Sequence, residues 1–170
     1  MIEVAMDGVV VTEIARHADS RGSFAEIFRQ SGRAARFVQA NHSHSKRGVL
    51  RGFHYHVNQA DLWYLVRGEI QVALVDLRDA KGGPATTTFL LDDQSPASVF
   101  IPRGVAHGYL ALTDADVIYL VDQEYDGSDE HGIAWNDPSL AIEWQIADPI
   151  LSDRDRNNPP LQWDSVPRFS

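Results

Sequence analysis

The sequence predicts an all-β fold, an antiparallel β-sandwich with short helices at most. Short segments rich in Val, Ile, Leu and aromatic residues recur along the chain, turn residues separate them, and apolar spacing of helical period is scarce. Taken in order, Arg29 to Arg36 reads as a short helix, and Val38 to His42 is the first clear strand. Leu62 to Val66 is the next, and the turn chemistry of Arg67-Gly68 leads into the clearest strand of all, Glu69 to Leu77. Both faces of that segment are mostly apolar, the pattern of a strand buried on both sides. Thr87 to Leu91, Ser98 to Ile101, Gly108 to Leu112 and Val117 to Tyr125 follow at spacings suited to a sandwich. The tail after Asp148 reads as irregular chain that ends on Pro159 and Pro160. No internal repeat or low-complexity linker interrupts the pattern, so residues 1–170 are expected to form a single domain.

A net charge of −9 argues against nucleic acid and anionic membrane as partners, because both select a basic face. An anionic ligand would have to be met by a local basic cluster. The chain has no cysteine, hence no disulfide framework, which fits a reducing compartment. The first 22 residues carry acids inside their apolar stretch and never approach the roughly 20 apolar residues of a membrane span. A soluble, cytoplasmic protein is expected.

Chemistry-bearing residues are unevenly placed. Five of the seven histidines fall at 42, 44, 54, 56 and 107. His54-Tyr55-His56 is a His-x-His, which on a strand turns both rings to one face, and Asp61 and Gly68 follow it. Pro102-Arg103-Gly104-Val105-Ala106-His107 is a turn that delivers a further histidine. Either half alone is as compatible with structural histidines as with a site. In this order, about fifty residues apart on an all-β pattern, the two resemble the paired motifs of the cupin jelly roll.

Within that superfamily, Asp19 to Glu26, Gln39 to Ser43 and Arg47 to Tyr55 resemble successive blocks of the dTDP-4-dehydrorhamnose 3,5-epimerase family. Val75 to Arg78, Ile101 to Gly108, Trp135 to Pro138 and Leu151 to Asp155 are similar to the rest of its pattern, so the resemblance spans nearly the whole chain. It implies a cofactor-free isomerase acting on a dTDP-linked 4-keto-6-deoxy sugar. Epimerisation beside a ketone needs a base to take a carbon-bound proton, a donor for the enolate oxygen, and an acid on the opposite sugar face. By resemblance the base is His54, oriented by Asp155, and the acid is Tyr119; on residue type alone, His54 and Tyr119 also suit a core. Arg21, Glu26, Gln39, Asn41 and Arg51 match nucleotide-holding positions, although exposed arginines are commonly solvated surface charge. His107 is placed in the substrate site, and Tyr125, an even number of residues beyond Tyr119, would share its face of a continuous strand. The resemblance further implies a homodimer whose N-terminal segment reaches the neighbouring subunit.

One position departs from the family. Where it usually carries a lysine in a Q-x-K context, this chain has Gln59-Ala60-Asp61. A carboxylate there opposes an enolate unless a protonated His56 or His107 offsets it. It also completes the ligand types of a metal-dependent cupin isomerase or dioxygenase, His54, His56, Asp61 and His107. A sugar-nucleotide binding module that has lost the chemistry is the third reading.

Overall fold

The computed structural model describes residues 2, 4–32, 35–79 and 83–169. Its strands are β1 (Val10–Glu13), β2 (Arg16–Asp19), β3 (Gly22–Ala25), β4 (Gln39–Ser45), β5 (Leu50–Tyr55), β6 (Asp61–Arg67), β7 (Glu69–Asp76), β8 (Ala85–Asp92), β9 (Ala97–Ile101), β10 (Val105–Ala111), β11 (Ala115–Val121) and β12 (His131–Gly132). One five-stranded sheet has the order β1-β9-β6-β11-β4 and the other β12-β5-β10-β7-β8, while β2 and β3 form a hairpin apart from both. From β4 to β11 the chain passes repeatedly from one sheet to the other, the jelly-roll form of an antiparallel sandwich.

The interior follows from strand alternation. Trp63, Leu65, Val99, Ile101 and Val117 of the first sheet meet Ile70, Val72, Leu74, Leu91 and Tyr109 of the second in one apolar core. Alternate residues of β7, Ala73 and Val75, point the other way and would be wet in a bare sandwich. They are buried with Phe53, Tyr55 and Ala106 beneath Ile142, Trp144, Leu161, Trp163, Val166 and Phe169. The tail is therefore the second cover of this sheet, and β7 is buried on both faces, as its sequence suggests. Burial of each such aliphatic or aromatic side chain contributes about 1.5–3 kcal/mol. Gln71 fastens the tail: its amide donates to Glu143 O at 2.8 Å and its oxygen accepts from Gln145 N at 2.8 Å.

Three expectations are corrected. The strand expected to run to Tyr125, β11, ends at Val121, because the Asp122 carboxylate turns back to accept Ala60 N at 2.7 Å and closes the ladder. The described residues of the expected helix at 29–36 form turn and coil, Gln30 bridging to Ala35 O and Phe37 N in place of helical bonds; Arg33 and Ala34 lie outside the described residues. The tail is not wholly irregular, for it contains the single α-helix described, α1 (Asp153–Asn157), capped by the Ser152 hydroxyl accepting from Asp155 N.

Candidate active site

Between the sheets opens a cavity of about 450 Å³. Strand alternation supplies its walls: Gln39, Asn41 and Ser43 from β4, Asp61 and Trp63 from β6, His107 and Tyr109 from β10, and Tyr119 from β11. Arg51 and His54 also line it, although three residues apart they would face opposite sides of a regular strand. The β5–β10 pairing resolves the conflict. His107 pairs with His54 but Tyr109 with Arg51, so one residue is gained on β5 at Gly52. Gly52 has φ +126, and a Cβ there would lie 2.6 Å from Gly108 Cα; only glycine fits this crossing.

At the β5 wall, His54 Nε2 lies 2.6 Å from Asp155 Oδ1. The carboxylate must accept, so Nε2 carries the proton and the lone pair rests on Nδ1. Asp155 is buried, which favours its neutral form. The bond and charge of His54, with further bonds from Ser152 and the backbone at Gly52, outweigh burial and hold the carboxyl below its ordinary range. Facing β5 across the cavity, Tyr119 is half-buried. Burial, then the negative field of Asp61 and neighbouring Tyr109, raise its phenol, with Arg51 opposing, so it is protonated at neutral pH.

Arg51 donates through Nε to Ser45 Oγ at 2.9 Å and through a terminal nitrogen to His44 O at 3.0 Å. The Tyr109 hydroxyl meets Ser45 Oγ at 2.9 Å and Ser43 Oγ at 3.1 Å. Gln39 accepts from Tyr125 N at 3.0 Å and donates to Asn41 at 2.9 Å, which ties the loop after β11 to β4. Tyr125 thus lines the cavity from this loop rather than from a strand, and its hydroxyl donates to Glu130 at 3.2 Å. Glu130 also pairs with Arg154.

His56, Asp61 and His107 cluster, each offering one ligand atom within 4.8 Å of the others. His54 is outside this group, so the four-ligand set expected from sequence is reduced to three. Burial pushes His107 down to about 4, only partly countered by Asp61, and His107 is neutral at neutral pH. Of the two histidines expected to offset Asp61 as an imidazolium, His56 and His107, the second does not. The Asp61 carboxylate instead accepts from the Gln59 amide at 2.8 Å and the Trp63 indole at 3.2 Å.

The profile of the dTDP-4-dehydrorhamnose 3,5-epimerase family matches residues 3–162. The chain belongs to this family. An epimerase of that name from Methanothermobacter thermautotrophicus is 39% identical over 97% of this chain and 96% of its own. Among solved structures, the dTDP-6-deoxy-D-glucose-3,5-epimerase of Legionella pneumophila in complex with dTDP-4-keto-L-rhamnose superposes with a TM-score of 0.88. It is 31% identical and covers 99% of this chain and 97% of that one. A 3'-monoepimerase from Streptomyces bikiniensis in complex with dTDP-quinovose gives a TM-score of 0.87 at 32% identity, over 94% of this chain and 87% of that one.

As a member of the epimerase family, the chain gathers most of the residues expected from sequence in one cavity: His54, Asp155, Tyr119, Gln39, Asn41, Arg51, His107 and Tyr125. Arg21 and Glu26 are not among them. They lie around the β2–β3 hairpin, where Arg21 pairs with Asp19 and Glu26 with Arg29, and Phe24 is 68% exposed. Sequence reasoning passed over Trp63, Tyr109, Glu130 and Arg154 as site residues. Period two from Asp61 and His107 reaches the first two; no local pattern points to Glu130. No helix among the described residues is long and apolar enough to cross a membrane.

Proposed function

We propose that this protein epimerises a dTDP-linked 4-keto-6-deoxyhexose at C3, at C5 or at both, by proton abstraction beside the ketone and return of a proton to the other face. The observation that carries this reading is the His54–Asp155 pair, 2.6 Å apart, in one cavity with Tyr119. His54 takes the carbon-bound proton on Nδ1. The imidazolium so formed faces a carboxylate that is already ionised, which fixes the tautomer and favours proton capture. His54 comes from β5 in one sheet and Tyr119 from β11 in the other, so base and acid approach the sugar from opposite walls. That opposition is what inversion needs, and a phenol that stays protonated at neutral pH is a ready donor.

Arg51 has five N–H donors and commits two to Ser45 and His44, which leaves others for the diphosphate, with Gln39 and Asn41 nearby for the nucleoside. Arg21 and Glu26 serve in this reading from a partner subunit: the protein is a cytoplasmic homodimer whose β2–β3 hairpin completes the neighbour's cavity. The detached hairpin and its exposed Phe24 support this arrangement. The test is NMR of dTDP-4-keto-6-deoxyglucose with the protein in deuterated buffer. Deuterium appearing at C3 or C5 together with an epimerised product is expected; an unchanged sugar would overturn the assignment.

A further inference from the structure

His56, Asp61 and His107 have no part in the proton transfers just described, yet they are held more firmly than chance neighbours would be. His56 Nδ1–H donates to Asp129 O at 2.9 Å, and His107 Nδ1–H donates to Val105 O at 3.1 Å. The ring nitrogen left to hold a metal is therefore Nε2 in each, and His107 Nε2 lies 3.8 Å from Asp61 Oδ2. The two Asp61 oxygens each accept one protein hydrogen bond, from Gln59 and Trp63, and each keeps a further lone pair. The loop between His56 and Asp61 is clamped as well. Asp129 accepts from Val57 N and Asn58 N, both at 2.9 Å, and Asp122 accepts from Ala60 N and from Arg103.

We propose that His56, Asp61 and His107 form a binding site for a divalent transition-metal ion of the zinc class, set in the wall of the cavity beside His54. Two imidazoles, each with its Nδ1–H committed to a carbonyl, and one carboxylate are ligands that such ions take, and three protein ligands leave a coordination position open. An imidazole that donates its other N–H to a carbonyl, and a carboxylate that is itself hydrogen-bonded, are the supports usual around bound metals. The present spread of 4.8 Å exceeds the about 3.3 Å between ligand atoms on a tetrahedral zinc ion, so the three side chains close inward by roughly an ångström on binding. The ion offsets the Asp61 charge in the cavity. Its bearing on catalysis rests on the epimerase reading; its binding does not.

Untagged protein, freed of metal by chelation, is titrated with Co²⁺ and the visible d–d absorption followed, then Zn²⁺ is added. A band that saturates at one equivalent and is displaced by Zn²⁺ is expected. Asp61→Asn keeps the side-chain shape and, with Gln59 reversed, its hydrogen bonds; it should weaken binding about 100-fold or more. His54→Asn should bind as the wild type does. No saturable band, an undiminished band in Asp61→Asn, or loss of the band in His54→Asn each overturns the site. Deuterium exchange into the sugar by protein that shows no cobalt band removes the metal site alone and leaves the epimerase reading standing.

Discussion

His54 and Asp155, 101 residues apart in the chain, meet at 2.6 Å where β5 passes the one-turn helix α1. Ser152 caps that helix and the bond between Gly48 and Ile150 brings the tail alongside β5, so the carboxylate is positioned by backbone as well as by its partner. In Asp155→Asn the histidine keeps a neighbour of the same shape but loses the charge that selects its tautomer and favours its protonated form. Exchange should slow by roughly 10²- to 10⁴-fold with the fold intact, measured by NMR and circular dichroism.

The same carboxyl predicts a pH dependence of stability. Its folded-state pKa lies below the ordinary 3.8, so the native state binds fewer protons there than the unfolded chain. The resulting stabilisation is present in full above that ordinary value and is lost as pH falls through the lower, folded-state value. Urea denaturation from pH 6 down to pH 3 should show the wild type losing stability faster than Asp155→Asn at the acid end. Parallel curves would mean that the pair contributes nothing to folding.

Tyr119 acts after the base in this account. Tyr119→Phe should reduce product formation by roughly 100-fold while wash-in of deuterium at the abstracted position falls much less. Equal losses would assign the phenol to shaping the cavity.

Gly52 is where the strand irregularity turns both Arg51 and His54 inward. Gly52→Ala places a methyl 2.6 Å from Gly108 Cα and 2.8 Å from His107 O, at a φ that alanine avoids. A loss on the order of 3 kcal/mol in chemical denaturation is expected, with activity falling in the folded fraction as well.

Arg21 is predicted to serve the neighbouring subunit. Arg21→Ala and His54→Asn, each impaired alone, should regain activity when unfolded and refolded together, because a mixed dimer has one cavity with both residues intact. Failure of the mixture to exceed its parents would return Arg21 to its own surface.

Period-two alternation made much of this legible. Residues at 39, 41 and 43, at 61 and 63, and at 117, 119 and 121 share the inner face of their strands, and any of them implies the others. Alternation fails at Arg51 and His54, whose shared face depends on a residue gained across a strand pair, a fact of pairing rather than of local pattern. The tail carried no period because its apolar residues answer to the outer face of β7, a tertiary partner. Resemblance marked Asp155 without that geometry. Glu130 and Tyr125 meet across a loop, where no periodicity exists to read. Asp61 was recognisable as a departure, but its bonds to Gln59 and Trp63, and the burial that keeps His107 neutral, belong to the folded interior.

His54 is the base in this mechanism. That role is tested most directly by comparing wild type and His54→Asn for deuterium incorporation into dTDP-4-keto-6-deoxyglucose, with nucleotide affinity measured in parallel. Exchange at C3 or C5 is expected with the wild type and none above background with the variant, at unchanged nucleotide affinity. Exchange by His54→Asn at a rate near that of the wild type would contradict it.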